Sequence, residues 1–304
     1  MENSLKKASK LLINQRMKTR NLTAVFSLLG ILGIACNSVN SEQEPFAKAT
    51  RTIPAQDSII PEIPDSLIQF DASVSAEKRK EIMAKISKKY LMGKFDPAKD
   101  ERFSKIPAPY AQKDMFMRIE ALESFKKMHA AAKEAGIRLL IISATRPFDV
   151  QKSIWEAKWT GMRKVDGKML SKEVKDPKGR AVKILRWSSM PSTSRHHWGT
   201  DIDINNLNPE YFDGGQGLKE YEWLVANAVQ FGFCQVYSEM GENRPDGYQE
   251  EKWHWSYLPI SKDLTNAYAQ KISDQDIGGF LGAESAPMIE VVKKYVLGIN
   301  SDCL

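Results

Sequence analysis

The chain has 304 residues, of which 42% are hydrophobic and 27% are charged. This balance is typical of a globular protein and excludes a disordered or fibrous one. The formal net charge of +6 hints at a nucleic-acid or other anionic partner. However, residues 1–35 hold six basic side chains and one acidic side chain, a net +5, which leaves +1 for residues 36–304. Without that segment, the charge no longer favours nucleic-acid binding.

The N-terminal segment has the layout of an export signal. Basic residues precede a 14-residue apolar run, Leu22–Ala35, which is too short to span a bilayer but suits the core of a signal peptide. Cys36 follows in a context similar to a bacterial lipoprotein processing site, although Gly33 stands where such sites usually carry Leu. We therefore expect residues 1–35 to be a signal peptide, with Met17 as an alternative start, and Cys36 to carry lipid. A buried hydrophobic helix with a core cysteine is the alternative.

Residues 36–70 are polar and contain four prolines without a sustained period. They predict a lipidated cysteine and a tether that holds the following domain, residues 71–304, away from a membrane. The expected location is the periplasm or cell envelope, and the expected state is an anchored monomer.

Two further cysteines, Cys234 and Cys303, follow within the predicted domain. In an oxidising compartment they can pair, closing a loop of roughly 70 residues and stabilising the fold by about 4 kcal/mol. Two free thiols are the alternative, because the sequence does not show that they lie close together.

Alternating helical and strand patterns from residue 71 onward predict one α+β domain. Ser75 has the position of a helix N-cap, and the helix is predicted to run to Tyr90. A second helix is predicted over residues 113–135, ended by Gly136, and its apolar stripe comprises Met115, Ile119, Leu122, Phe125 and Ala132. Arg138–Ser143 is predicted to be a buried strand.

The C-terminal half continues this alternation. Residues 161–187 predict an excursion or a hairpin, in which the basic stretch Lys172–Arg186 forms a solvent-exposed face. Gly217–Phe231 predicts a helix that ends at Gly232, with a stripe at Tyr221, Leu224, Val225, Ala228 and Phe231. The last predicted strands are Phe233–Tyr237 and Trp253–Pro259.

Three of the four histidines lie in two short segments rich in carboxylates. His129 is the exception, because it falls on the apolar stripe of its helix and is expected to pack there. His196 and His197 lie in Ser192–Asp203, and His254 lies in Glu250–Trp255. Imidazole and carboxylate together suit a catalytic zinc, which takes three protein ligands and leaves one position for water.

Spacing alone leaves the ligand set open. Adjacent His196 and His197 point apart in an extended chain, so we expect only one of them to reach a metal. Asp201 and Asp203 share one face of the predicted strand, so either carboxylate can lie beside a ligand histidine. The alternative is that this segment binds no metal and is only a polar loop that leads into a half-buried strand.

Three segments, in the same order, resemble the VanY-like zinc D-alanyl-D-alanine carboxypeptidases. Ser194–Asp203 is similar to their Ser-x-His-x-x-Gly-x-Ala-x-Asp signature, and Glu251–Trp255 is similar to their Glu-x-x-His-Trp element. Ser143–Gln151 resembles their Ser-x-x-Arg segment with Gln five residues later. The resemblance covers about residues 75–260 and implies a Hedgehog/DD-peptidase-like α+β fold, a small antiparallel sheet flanked by helices.

The resemblance also implies a role for each matching residue. The implied Zn2+ ligands are His196, Asp203 and His254. Glu251 is the implied general base. Arg146 would bind the C-terminal carboxylate of the substrate or stabilise the oxyanion. The residues implied to support the substrate or Arg146 are Ser143, Gln151 and Ser194.

Some positions depart from the family pattern. Asp201 replaces the usual Ala and can either orient a ligand histidine through a hydrogen bond or compete with Asp203 for the metal. Substitutions beside the motifs are expected to affect specificity more than mechanism; they are Thr145, Pro147, Lys252 and Ser256.

Two expectations concern local geometry. Glu251 and His254 would lie on opposite faces of a regular strand, so a bend must precede Trp253. Four tryptophans in or near the motifs are expected to pack around the metal site, with direct substrate contact as the alternative; they are Trp187, Trp198, Trp253 and Trp255.

The sequence thus predicts a zinc metallopeptidase that removes a C-terminal D-alanine from peptidoglycan stem peptides. An L,D-carboxypeptidase, a peptidoglycan endopeptidase and a non-catalytic zinc-stabilised cell-wall binding module are the alternatives. Glu251 argues against the last, because a structural zinc needs no general base. A serine-type penicillin-binding enzyme is rejected, since Ser-x-x-Lys occurs at Ser75 and Ser124 but no Lys-Thr-Gly follows.

Overall fold

A computed structural model describes Glu77, Glu81 and residues 84–242 and 244–304. The predicted signal peptide, Cys36, the tether and the Ser75 helix start lie outside these residues. Within the described part of the chain, the helices are all too short or too polar to span a bilayer.

Antiparallel pairing organises the described strands into a central sheet and a smaller one. The central sheet has the order β3-β4-β6-β5, with antiparallel neighbours throughout. Its strands are Ile141–Ser143 (β3), Asp201–Ile204 (β4), Phe233–Gln235 (β5) and His254–Tyr257 (β6). The smaller sheet pairs Phe103–Lys105 (β1) with Phe116–Arg118 (β2). The α+β class and the small antiparallel sheet are therefore confirmed.

Helices of one to four turns surround the central sheet. Their bounds are Lys88–Leu91 (α1), Ile119–Glu134 (α2), Phe148–Trp159 (α3), Leu170–Glu173 (α4), Pro177–Ile184 (α5), Gly215–Asn227 (α6), Leu258–Lys271 (α7) and Ser285–Ile289 (α8). One apolar cluster joins α2 and α6 to Ile202 and Ile204 of β4, and a second joins α3, α5 and α7 to the C-terminal segment. Because side chains alternate along β4, Asp201 and Asp203 face away from the first cluster.

Two helix boundaries differ from those that the apolar period predicts, one because of a strand pairing and one because of a local cap. The helix predicted over 113–135 begins only at Ile119, because Phe116–Arg118 pair with β1. Ile119 itself is 41% exposed, so it does not belong to the buried stripe. The helix predicted to reach Tyr90 is interrupted at 86–87, where the Ser87 hydroxyl accepts a hydrogen bond from the backbone N–H of Tyr90 and starts α1.

In the C-terminal half, the observed elements differ less from the predicted ones. Residues 161–187 begin with a tight antiparallel turn, in which Val165 pairs with Lys168, and continue with α4 and α5. Most of the basic side chains there are exposed, as predicted. The helix predicted over 217–231 is α6 followed by a tighter turn, with Gly232 at a φ of 74° as its cap and Val225 56% exposed. The strand Arg138–Ser143 is shortened to β3, and Leu258 ends the last strand because α7 begins there.

Of the two alternatives for Cys234 and Cys303 the structure has the disulfide, and the packing of His129 is confirmed. Cys234 and Cys303 form a disulfide with their Cα atoms 5.8 Å apart, so β5 is bonded to the C-terminal segment. The ring of His129 packs against Tyr110 with a centroid separation of 4.9 Å.

Candidate active site

A short helical turn and two paired strands bring the metal-binding side chains together. His196 lies in the turn Arg195–Trp198, and Gly199 follows at a φ of 75°, where a Cβ would lie 2.2 Å from the Phe103 ring. A glycine is therefore needed where the chain leaves the turn and enters β4. The register of β4 with β6 then sets Asp203 opposite His254. One ligand atom from each of His196, Asp203 and His254 lies within 4.8 Å of the other two, and all three residues are buried.

The atoms that face one another in this cluster are suited to a cation. Asp203 Oδ1 lies 3.3 Å from His196 Nε2 and 3.3 Å from His254 Nδ1. His196 Nδ1 lies 2.8 Å from the Ala144 carbonyl and donates to it, so the lone pair of Nε2 points into the cluster. His196 Nε2 and Asp203 Oδ1 are buried without a hydrogen-bond partner among the described residues. Buried acceptors left unpaired are costly, so these residues fit a metal ion.

Asp201 lies behind His254 and not in the cluster. His254 Nε2 donates to Asp201 Oδ1 at 3.0 Å, and Arg195 Nε donates to the same oxygen at 3.1 Å. The hydroxyls of Thr200 and Ser256 donate to Oδ2 at 2.7 Å and 2.9 Å. Because the proton of the imidazole is on Nε2, the lone pair of His254 Nδ1 is available to a metal ion. Of the two roles predicted for Asp201, the geometry favours orientation of a histidine.

Glu251 completes the cluster on the side of the cleft. Its Oε2 lies 3.2 Å from His254 Nδ1, and burial raises the pKa of its carboxyl group. The expected bend is present, because a turn at 252–253 separates Glu251 from β6 and the N–H of His254 donates to the Glu251 carbonyl at 3.2 Å. Glu251 and His254 therefore face the same space.

The charges around His254 are mostly negative. Burial opposes the charged form of His254, but Asp201, Asp203 and Glu251 outweigh it and raise the pKa of the imidazole well above its usual range. Burial likewise opposes ionisation of Asp203, yet His196 and His254 hold the pKa of that carboxyl well below its usual range. Three buried carboxylates beside one buried guanidinium, that of Arg195, favour a bound cation.

His197 has a different role from His196. Its Nε2 accepts from the backbone N–H of Ser192 at 3.1 Å, and its Nδ1 donates to the Arg146 carbonyl. Burial lowers the pKa of His197 to about 3, so the ring is neutral. A Cβ at Gly93 would lie 2.3 Å from this ring. His197 thus holds the backbone of Arg146, a role that the adjacent pair of histidines did not indicate.

A cleft of about 680 Å³ opens on this cluster. Arg146, Ser143 and Glu251 line it, together with Asp203 and His254. The Arg146 backbone N–H donates to the His196 carbonyl at 3.1 Å, while its Nε is buried without a partner among the described residues. The guanidinium is therefore available to a ligand.

Two residues implied to support the substrate are not among those lining the cleft. Gln151 is buried, and its side-chain amide donates to the Ser189 carbonyl at 2.7 Å. The Ser194 hydroxyl is also buried and has no partner among the described residues. Gln151 stabilises the segment beside the cleft, and contact of either residue with substrate stays a prediction.

The four tryptophans divide into two pairs. Trp187 and Trp253 line the cleft with ring centroids 6.0 Å apart, so they are placed to contact a ligand. Trp198 packs inside, where its Nε1 donates to the Leu91 carbonyl at 3.1 Å and the Arg195 guanidinium lies 4.6 Å from its ring. Trp255 belongs to the apolar cluster of α2.

Known proteins share these segments. The family model for VanY, D-alanyl-D-alanine carboxypeptidase, matches residues 114–260. An uncharacterized protein of Haemophilus influenzae is 34% identical over 122 residues, which are 35% of this chain and 92% of that protein. The chain belongs to the VanY family of peptidoglycan carboxypeptidases.

Other relatives carry more specific names. A D-alanyl-D-alanine carboxypeptidase of Enterococcus faecalis is 28% identical over 142 residues, which are 46% of this chain and 47% of that enzyme. Among solved structures, the LdcB LD-carboxypeptidase is 21% identical with a TM-score of 0.41, over 67% of this chain and 81% of that one.

Two departures from the VanY family pattern contact each other. Asp201 stands for Ala and Ser256 for Arg, and the Ser256 hydroxyl donates to Asp201. The same network reaches beyond the family match, because Arg195 donates to the hydroxyl of Thr265 in α7 at 2.8 Å. Helix α7 thus helps to hold the orientation of His254 through Arg195 and Asp201.

Proposed function

We propose that this member of the VanY family is a zinc-dependent carboxypeptidase that removes a C-terminal D-alanine from peptidoglycan stem peptides. The observation that carries the proposal is the buried cluster of His196, Asp203 and His254 beside Glu251. The same cleft contains Arg146, whose Nε has no partner among the described residues. The name of the family and that of the Enterococcus relative support D-alanine as the released residue.

The chain's own groups would hold the metal ion through two imidazole nitrogens and one carboxylate. These are His196 Nε2, His254 Nδ1 and Asp203 Oδ1, a donor set that catalytic zinc sites use. Zinc bound there would lower the pKa of its water to about 7 and would polarise the scissile carbonyl.

Glu251 moves the proton in this reaction. Its carboxylate accepts a proton from the attacking water and returns it to the nitrogen of the leaving amino acid. The pKa of Glu251, raised by burial, suits both directions of this transfer. A non-catalytic binding module would have no need for a carboxylate in this position.

The proposal also includes the location. The sequence of residues 1–36 supports export and a lipid anchor on Cys36, and the Cys234–Cys303 disulfide agrees with an oxidising compartment.

The substrate assignment is tested by mass spectrometry of purified stem peptides after incubation with the zinc-loaded protein. We expect a pentapeptide to lose one D-alanine, and we expect chelation to stop the reaction until zinc is restored. Cleavage of a tetrapeptide alone would identify an L,D-carboxypeptidase, and an internal cut would identify an endopeptidase. Binding without any product would point to a cell-wall binding module.

Arg146→Ala should weaken cleavage of a peptide with a free C-terminus by about 10- to 100-fold in kcat/KM. A charge-assisted hydrogen bond to the terminal carboxylate is worth about 1.5–3 kcal/mol. The same peptide with an amidated C-terminus is the control, and its slower cleavage should change little. An equal loss on both peptides would instead assign Arg146 to stabilisation of the oxyanion.

A further inference from the structure

One wall of the cleft is basic and is formed by α3 and the residues after it. Val150, Ile154 and Lys158 recur every four residues along α3 and line the cleft on one helix face. Arg163 follows α3 and lines the same cleft. We call Lys158 and Arg163 the basic wall; neither belongs to the proposed metal site.

Lys158 is partly buried and lacks an acidic partner. Its Nζ is hydrogen-bonded to the Ser188 hydroxyl. Within residues 84–242 and 244–304, no carboxylate lies within ion-pair distance of Lys158 or Arg163. Burial, followed by the charges of Arg163 and Arg146, lowers the pKa of Lys158 to about 8, and the charges of Glu251 and Asp166 oppose this shift without outweighing it. A partly desolvated ammonium beside two guanidinium groups is costly unless an anion reaches it.

The carboxylates near the basic wall have other partners. Asp203 and Glu251 contact His254, and Asp166 is paired with Arg186 at 2.7 Å. Two more carboxylates line the cleft: Asp96 is paired with Lys99 at 3.6 Å, and Asp114 with Lys105 at 2.7 Å. The basic wall therefore faces cleft volume that a ligand would fill.

Arg146 and the basic wall line the same cleft. Arg146 precedes α3, whereas Lys158 lies in its last turn, and the charge of Arg146 reaches Lys158. In the proposed function Arg146 binds the terminal carboxylate of the substrate, so Lys158 and Arg163 are left for another anion. A ligand with a second negative group would supply it.

We propose that Lys158 and Arg163 form a subsite for a second carboxylate of the substrate, carried by a residue on the N-terminal side of the scissile bond. The inference rests on the proposed function, in which Arg146 binds the terminal carboxylate. It names the substrate class as peptides with a free internal carboxylate. In stem peptides this group has two sources: the α-carboxylate of a side-chain-linked glutamate and the carboxylate of a diamino-dicarboxylic acid.

Four synthetic pentapeptides ending in D-Ala-D-Ala distinguish these sources. The second residue is isoglutamate or isoglutamine, and the third is a diamino-dicarboxylic acid or lysine. We expect wild type to prefer one carboxylate over its neutral counterpart by about 10- to 100-fold in kcat/KM, the range for a hydrogen bond to a charged group. Lys158→Gln and Arg163→Gln should remove most of that preference and leave the fully neutral peptide within about twofold.

Three variants and one binding measurement complete the test. Lys164→Gln, an exposed neighbour that does not line the cleft, should retain the preference. Lys158→Arg should restore it. If Lys158→Gln fails to fold, the exposed Arg163 carries the test alone. Affinities of the four peptides for Glu251→Gln, measured calorimetrically, should show the same preference without turnover.

The outcomes separate this subsite from the proposed function. Equal cleavage of all four peptides by wild type would overturn the subsite and leave the carboxypeptidase intact. An equal loss on all four in Lys158→Gln would also overturn it and assign Lys158 to the terminal carboxylate. Cleavage of none would refute the proposed function, and the binding measurement would still decide on the subsite.

Discussion

Glu251→Gln should retain about one zinc per chain and lose roughly two to four orders of magnitude in kcat, the contribution expected of a positioned general base. The carboxamide has nearly the same size as the carboxylate, but it cannot accept a proton from the attacking water. Metal binding should persist, because the ligand atoms that face one another belong to His196, Asp203 and His254.

Folding should not suffer in this variant. Glu251 is buried and burial raises its pKa, so the native environment disfavours its charge. A neutral amide removes that cost. We therefore expect the free energy of unfolding of Glu251→Gln to be no lower than that of wild type.

Metal analysis and steady-state kinetics on the same preparation check this prediction. Glu250→Gln is the matched control, because Glu250 precedes Glu251 but does not line the cleft. Near-normal turnover would remove Glu251 from its role as base. Loss of zinc together with activity would show that Glu251 is a metal ligand.

How far the sequence predicts this site depends on which interactions decide each position. The motif positions of His196, Asp203 and His254 were predicted from residue type and family pattern, and the structure brings them together. Alternation could not choose between Asp201 and Asp203, since both lie on one face of β4. The choice is made by β6, which sets His254 opposite Asp203, and by Arg195, which neutralises Asp201.

The helix boundaries also depend partly on local pattern and partly on contacts between segments that are distant in the chain. The apolar period runs through residues 113–118, so it predicts a longer α2 than the structure has. Pairing of Phe116–Arg118 with β1 overrides that period, and the partner strand lies more than ten residues earlier in the chain. Contacts of this kind are not visible in a local pattern.

The largest effect on stability is expected at the buried pair of Asp201 and Arg195. Asp201→Ala should lower the free energy of unfolding by about 3–5 kcal/mol, because it leaves the Arg195 guanidinium buried without its carboxylate. Both side chains are fully inaccessible to solvent. The Ala variant should also weaken zinc binding about 10- to 100-fold, since His254 loses the acceptor that orients it.

The contribution of Asp201 to the stability of the fold should depend on pH in a defined direction. Burial favours the neutral carboxyl group of Asp201, but Arg195 and His254 outweigh it and hold its pKa below the usual value. A carboxylate with a depressed pKa in the folded state contributes stability above its unfolded pKa of about 4 and loses it as the pH falls. The difference between wild type and Asp201→Ala should therefore shrink in acid.

A double-mutant cycle separates the charge pair from the histidine. Arg195→Met should also destabilise the fold, but Asp201→Ala combined with Arg195→Met should cost less than the sum, because neither buried charge is then left alone. Zinc affinity should follow a different pattern: it should fall whenever Asp201 is absent, because His254 Nε2 donates its hydrogen bond to Asp201. Urea unfolding and chelator competition measure the two quantities. Additive losses of stability would show that the pair is not coupled, and unchanged zinc affinity in Asp201→Ala would show that the orientation of His254 does not depend on Asp201.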